Sequence, residues 1–180
     1  YKRQPLQAGR KLIALVEISS WALERLLAAL GQQQDRETAE RAARDAAASG
    51  DAYEGLVAEG ARYASKQDWR RAARACREAV ALRPARPGAY LNLGVALTHS
   101  AHLVEAAQRY LEAKELFQVG SEHWAHATAR AFHMLAQEEC AEVAKPEWWN
   151  DEGLKALSAR VVRAAPNDDT AHQMRAVVLS

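Results

Sequence analysis

Apolar residues recur at three- and four-residue spacing along most of the chain, and this spacing places them on one face of an α-helix. Two such segments, residues 6–30 and 33–49, stand near the start and are separated by Gly31. In the second segment Glu37 and Arg41 are four positions apart, in the order that stabilises an isolated helix. We therefore predict an N-terminal helical hairpin, which is either a degenerate repeat or a cap on the helices that follow.

The middle of the chain repeats with a period of 34 residues. Gly60 and Gly94 are separated by that distance, and each is followed 12 positions later by Ala72 or Ala106. Gly94 stands inside GAYLNLGVAL, a segment with helical character, where glycine costs about 1 kcal/mol relative to alanine. Glycine lets a neighbouring backbone come unusually close, and we therefore expect a tightly packed element beside each of these two glycines.

These two units resemble the tetratricopeptide repeat, which has a period of about 34 residues and the pattern W-x2-L-G-x2-Y, A-x3-F and P. Besides the glycine and the alanine, Tyr63 and Pro84 match the pattern in the first unit. The sequence departs from it at Glu59, Cys76 and Gln118, where the family has leucine, phenylalanine and proline. The resemblance implies an all-α fold, a right-handed solenoid of antiparallel helix hairpins in which the first helix of each unit packs closely on the second.

The repeat continues beyond the middle of the chain in a less regular form. Residues 121–143 read as one long helix with Ser121 as its N-cap, and Pro146 ends the pattern. Asn150 or Asp151 then begins another helix. The predicted divisions are an N-terminal hairpin (1–52), a first unit (53–86), a second unit (87–120), a third unit with an insertion between its helices (121–168), and a last helix that starts a further unit or caps the array (169–180).

Composition and short motifs give no sign of catalysis. The chain has 24 basic and 23 acidic side chains and a net charge of +1, so we expect no general attraction to nucleic acid or to an anionic membrane. The most apolar segment, residues 12–30, contains Glu17, Glu24 and Arg25, whereas a membrane span needs ~20 apolar residues. The sequence has no nucleophile elbow, phosphate-binding loop or dinucleotide fingerprint. We predict that the chain is not an enzyme, binds no cofactor and spans no membrane.

The histidines do not form a metal-binding motif. A metal site needs three or four converging ligands, and no frame such as HExxH or CxxC is present. We therefore expect scattered surface or groove histidines and no metal site. The histidines concerned are His99, His102, His123, His126 and His133.

The two cysteines are interpreted as structural residues. Cys76 lies among alanines on a helix face that is expected to be buried, and Cys140 follows two glutamates, which raise the pKa of a thiol. Because no disulfide framework is visible, we expect an intracellular protein, with the cytoplasm as the default compartment. The sequence begins at Tyr1 rather than methionine, so we also expect a fragment or a processed product from which an organelle signal can be missing.

A stripe of arginine residues follows one predicted helix. Arg70, Arg74 and Arg77 share one face, and Arg83 and Arg86 come next. The functional interpretation is contact with RNA or phosphate. No aromatic residues alternate with the arginines to stack on bases, so we favour a solvated outer face.

The pair Trp148-Trp149 stands in the predicted insertion of the third unit. Two tryptophans in such a segment either plug the junction between helices or form an exposed aromatic anchor for a partner. We favour the plug and retain the anchor as the alternative.

The resemblance also implies a concave groove, lined by the first helices of successive units, that holds an extended peptide or a helix. The best-known subgroup grips the acidic tail of heat-shock chaperones with lysine, asparagine and arginine side chains. Only Asn92 matches that clamp, since its other positions fall on Val57, Ala61, Glu122 and His126, and chaperone-tail binding is therefore disfavoured. The groove residues that the resemblance implies are Val57, Ala61, Leu91, Asn92, Val95, His99, Ala125, Ala129, Phe132 and His133.

The implied groove is mostly apolar, and such a groove fits an amphipathic helix or an extended peptide better than a charged tail. Asn92, His99 and His133 supply the few polar contacts. We therefore predict a non-catalytic protein–protein interaction module or scaffold. The alternatives are a regulatory or substrate-docking segment of a larger enzyme, and RNA binding through the arginine stripe. Residues 12–30, apolar on several faces, either stack as the first layer of the solenoid or dock onto a partner chain.

Overall fold

The computed structural model describes residues 33, 34, 36–38, 41 and 50–180. Within these residues the regular secondary structure is α-helix with one 3₁₀ turn and no β-strand, so the fold is all-α. The helix predicted over residues 6–30 and much of the one over 33–49 lie outside the described residues. The helices after residue 50 are α1 (Ala52–Ser65), α2 (Trp69–Leu82), α3 (Pro87–His99), α4 (Leu103–Leu116), α5 (Glu122–Leu135), α6 (Asp151–Ala164) and α7 (Asp169–Leu179), with the 3₁₀ turn (Glu138–Cys140) between α5 and α6.

Side-chain caps fix where most of these helices begin. Asp51, Asp68 and Asp168 accept hydrogen bonds from backbone N–H groups in the first turns of α1, α2 and α7. Ser121 and Asn150 do the same for α5 and α6, which confirms Ser121 as the predicted cap and selects Asn150 over Asp151. Each cap provides an acceptor for a donor that the start of a helix leaves without an intrahelical partner.

The two central helix pairs, α1–α2 and α3–α4, have turns of the same geometry. Gln67 and Ala101, which lie 34 residues apart in these turns, both have a φ of 59°. The residue that follows each of them donates its backbone N–H to the carbonyl five residues earlier, at 2.9 Å in the first pair and 3.0 Å in the second. The helix pairs therefore repeat with the predicted period.

Gly60 and Gly94 mark a close approach between the helices of each pair. A Cβ atom placed on Gly94 would lie 2.6 Å from Cε1 of Tyr110, and one placed on Gly60 would lie 2.8 Å from Sγ of Cys76. Both distances are shorter than van der Waals contact between heavy atoms. The predicted tight packing is confirmed, but each glycine faces a side chain of the second helix rather than its backbone.

Small residues fill the interfaces between neighbouring helices. Ala79, Ala113 and Val161 are fully buried and hold the same position near the ends of α2, α4 and α6, where each carbonyl accepts the N–H of the C-cap residue. Each helix packs on the next one along the chain, and α7 packs on both α5 and α6. The last three helices consequently share one hydrophobic core.

The long helix predicted over residues 121–143 is wrong, because α5 ends at Leu135. The chain then turns so that Cys140 is buried beside Leu135 and Ala107. Lys145 holds this turn, since its Nζ donates to the carbonyl oxygens of Leu135 at 2.6 Å and of Cys140 at 3.0 Å. These tertiary contacts override the local helical pattern, because a straight helix would carry Cys140 away from the core.

Candidate functional site

The residues predicted to line the groove fall into two groups. Ala125, Ala129 and Phe132 are buried and pack with residues of α6 and α7 in the shared core. They hold the last helices together and lie in the core rather than on an open surface. The other seven residues are exposed or half-buried and lie on α1, α3 and α5: Val57, Ala61, Leu91, Asn92, Val95, His99 and His133.

A cavity of about 440 Å³ lies among α1, α2 and α3, and we call it the apolar cavity. Of the predicted groove residues, Ala61, Asn92 and Val95 line it. Thr38, one of the helical residues before α1, contributes to the same wall. Because most of the remaining side chains are small and apolar, the cavity suits an apolar group. The remaining lining residues are Gly60, Ala64, Ser65, Trp69, Ala72 and Cys76.

A second cavity of about 220 Å³ lies among α3, α4, α5 and α7, and we call it the polar cavity. Val95 lines both cavities, which makes them neighbours. His99 and His133 line the polar cavity together with Arg130, which the sequence analysis missed. Arg130 and His133 stand three positions apart on a predicted helix, so they share a face, and this spacing could have identified Arg130 as a site residue. The other lining residues are Thr98, Tyr110, Met134, Thr170 and Gln173.

The two histidines of the polar cavity are held by different contacts. The His99 ring stacks on Trp69 with ring centroids 4.0 Å apart and 11° between the ring planes. His133 Nε2 lies 3.3 Å from the carbonyl oxygen of Thr170, so this nitrogen donates the hydrogen bond. His99 therefore connects the two cavities, since Trp69 lines the apolar one, and His133 connects α5 to α7.

The remaining histidines named in the sequence analysis make local contacts. His123 stacks on Phe117 with ring centroids 5.4 Å apart, and His126 Nε2 lies 3.6 Å from Asp168 Oδ2. His102 Nδ1 lies 2.7 Å from the backbone carbonyl oxygen two residues earlier. In the described part of the chain, no three His, Cys, Asp or Glu residues are grouped so that they could hold a metal ion.

Both cysteine side chains are buried. Burial raises the pKa of the Cys76 thiol to about 11. Burial also raises the pKa of Cys140, with Glu139 adding to the rise and Lys145 opposing it. The thiolate is the nucleophilic form of cysteine, so both side chains are poor nucleophiles near neutral pH.

The two tryptophans of the insertion are half-buried between two cores. The Trp149 ring lies 5.3 Å from the Phe132 ring and 5.7 Å from the Trp148 ring, measured between centroids. Lys145 Nζ stands 5.1 Å from the Trp149 centroid, and Lys114 Nζ stands 5.8 Å from that of Trp148. This packing supports the plug and reduces the ring surface that an aromatic anchor would offer.

Two of the three arginines in the predicted stripe are in ion pairs. Arg74 Nε lies 3.1 Å from Glu78 Oε1, and Arg77 Nη2 lies 2.8 Å from Glu105 Oε2. The second pair joins α2 to α4. These acidic partners reduce the positive charge that the stripe can present to RNA.

Among the described residues, no helix combines the length and the apolar character that crossing a lipid bilayer requires. No protein-family model matches the chain, and no curated protein sequence is similar enough to it to be counted as a relative.

Proposed function

We propose that this chain is a non-catalytic protein–protein interaction module of the tetratricopeptide type, with its helix pairs arranged as a right-handed solenoid. The 34-residue spacing of the equivalent turns at Gln67 and Ala101 supports the family assignment. The contacts of Gly60 and Gly94 support it as well, since the family packs its paired helices at small residues. The module binds an amphipathic helix or an extended peptide in a groove that the two neighbouring cavities form.

The observation that carries this function is the apolar cavity. Its volume of about 440 Å³ lies within the range of ~300–1,000 Å³ that is typical of ligand pockets. Ala61, Ala64 and Ala72 leave space in front of α1 and α2, so a large apolar side chain can enter. Burial of a leucine-sized side chain contributes about 1.5–3 kcal/mol. The cavity therefore provides one anchor, and contacts along the rest of the groove supply the remaining affinity.

The polar cavity extends the groove beyond this anchor. Val95 is the wall that both cavities share, with Asn92 on the apolar side and His99 on the polar side. A peptide that crosses Val95 meets an apolar site and then a polar one. This order selects an amphipathic ligand.

A library of random dodecapeptides, displayed and selected on the chain, tests the proposal. Fluorescence anisotropy then gives the Kd of the strongest binder. Val95→Glu places a carboxylate on the shared wall, and we expect the Kd to rise at least about tenfold, which is equivalent to ~1.4 kcal/mol. Val104→Glu is the matched control, because Val104 is 42% exposed on α4 and lines neither cavity, and its Kd is expected to stay unchanged. Equal Kd values for the two variants, or no enriched peptide, would refute the proposal.

A further inference from the structure

Within the part of the chain that the structure describes, Arg130 carries a positive charge in the polar cavity without a negative partner. Arg130 is half-buried on α5, and no acidic side chain in the described part of the chain forms an ion pair with it. Among the described residues that line the cavity there is no Asp and no Glu. The charge of Arg130 is therefore available to a ligand.

The phenol of Tyr110, which also lines the cavity, supplies no negative charge. Burial raises the pKa of Tyr110, while its hydrogen bond with Thr98 and the charge of Arg130 oppose that rise. The phenol is consequently neutral near neutral pH. The Thr98 hydroxyl donates to the carbonyl oxygen of Gly94 at 2.9 Å, so the Tyr110 hydroxyl, 3.2 Å away, donates to Thr98.

Two histidines line the cavity beside Arg130. His133 uses Nε2 for its hydrogen bond to Thr170, which leaves Nδ1 for another contact. His99 lines the cavity from α3. The cavity thus offers one positive charge, that of Arg130, with two imidazole rings beside it.

A half-buried charge without a partner is unfavourable, and an anionic ligand relieves that cost. A carboxylate matches a single guanidinium best, because its two oxygens accept two parallel N–H donors. The cavity volume of about 220 Å³ leaves space for the end of an acidic side chain. The shared wall at Val95 places this group next to the apolar anchor.

We propose that the polar cavity is a carboxylate-binding subsite, in which Arg130 pairs with an acidic group of the same peptide whose apolar side chain fills the apolar cavity. The inference rests on the proposed function and adds the chemistry of its ligand. The residue that carries it is Arg130, and His99 and His133 line the cavity beside it. None of them holds a position that the chaperone-tail clamp would occupy in this sequence.

The peptides selected from the dodecapeptide library provide the probe. We expect most of them to contain Asp or Glu at a fixed distance from a large apolar residue. The strongest binder is synthesised in two versions at that position, one with the Asp or Glu and one with the corresponding Asn or Gln. Each version is made with a free and with an amidated C-terminus. Each form is titrated against the unaltered chain, Arg130→Gln and Arg163→Gln. Arg163 is the matched control, since it is exposed on α6 and lines neither cavity.

We expect the acid-to-amide change and Arg130→Gln each to weaken binding roughly 10- to 100-fold, as for the loss of a hydrogen bond to a charged group. Their combination is expected to cost no more than either single change, because both remove the same pair. Arg163→Gln is expected to leave the Kd unchanged. Arg130→Lys keeps the charge without the bidentate geometry and is expected to bind with an intermediate Kd. An unaltered unfolding midpoint shows that the Arg130 variants fold.

The outcomes separate this inference from the proposed function. If Arg130→Gln leaves the Kd unchanged while Val95→Glu raises it, the groove stands and the carboxylate subsite is refuted. Enriched peptides that lack acidic residues and bind equally well with an amidated C-terminus refute it too. Loss of binding on C-terminal amidation alone supports the subsite and identifies the peptide end as the source of the carboxylate. If no peptide is enriched, the proposed function fails, and this inference fails with it.

Discussion

Replacement of Gly94 by alanine tests the packing on which the repeat depends. The added Cβ would lie 2.6, 2.7 and 3.0 Å from three ring atoms of Tyr110. That ring has little freedom to move, because Tyr110 is 2% exposed and its hydroxyl is hydrogen-bonded to Thr98 at 3.2 Å. Overpacking costs about 1–3 kcal/mol, whereas a helix gains about 1 kcal/mol when alanine replaces glycine. The added contact is expected to outweigh the helix gain, so that the free energy of unfolding falls by up to about 2 kcal/mol.

Urea unfolding followed by far-UV circular dichroism measures this change. Gly55→Ala is the matched control, because it makes the same exchange inside α1 at a position where no described residue has an atom within 4 Å of the new Cβ. The control is expected to stabilise the chain by about 0.5–1 kcal/mol. Gly60→Ala is expected to fall between the two, since the Sγ of Cys76 at 2.8 Å ends a short side chain that can rotate. If Gly94→Ala stabilises the chain as much as Gly55→Ala does, the packing argument is wrong.

Three other residues give predictions of their own. The pKa of the Cys76 thiol is about 11 in the folded chain, against an ordinary value of 9.0. At pH values between these two, the thiol stays protonated in the folded chain and ionises in the unfolded one. The free energy of unfolding therefore falls as the pH rises through that window, by up to about 2–3 kcal/mol more in the unaltered chain than in Cys76→Ala. Urea unfolding at several pH values measures this, and the same pH dependence in both chains would contradict the buried thiol. Lys145→Met removes the donor to two backbone carbonyls and is expected to lower the free energy of unfolding by about 1–3 kcal/mol. Unfolding followed by tryptophan fluorescence measures this, and an unchanged midpoint would show that Lys145 does not hold the turn. Gly153→Ala would place a Cβ 2.6 Å from the carbonyl oxygen of Trp148, so we expect a lower unfolding midpoint and altered tryptophan emission. If Gly153→Ala instead stabilised the chain, as Gly55→Ala is expected to do, this contact would be contradicted.

Residues with a local role were predictable from the sequence. Ser121 identified one helix start, and the pair Asn150-Asp151 identified another to within one residue, because a cap requires only its own side chain and the turn that follows. Gly60 and Gly94 identified the tight helix contacts, because glycine inside a helix is costly unless packing demands it. The equivalent turns then confirmed the period that these glycines had indicated.

Residues whose role depends on tertiary packing were not predictable in the same way. Ala125 and Ala129 have the spacing of groove residues, but an apolar helix face does not reveal which element covers it, and here α6 and α7 pack there. The pairing of charges also depends on residues distant in sequence. Arg77 pairs with Glu105 across two helices at 2.8 Å, whereas Arg130 forms no ion pair within the described residues. Only the packed structure distinguishes these two arginines.

The central claim is that a peptide binds in the groove formed by the two cavities, and amide chemical-shift mapping with the strongest selected peptide tests it most directly. The account predicts the largest shift changes around Ala64, Val95 and His133, on both sides of the shared wall. It predicts small changes around Val104, on the exposed side of α4. Changes centred on the insertion around Trp149, with none at Val95, would contradict it and place the binding surface elsewhere.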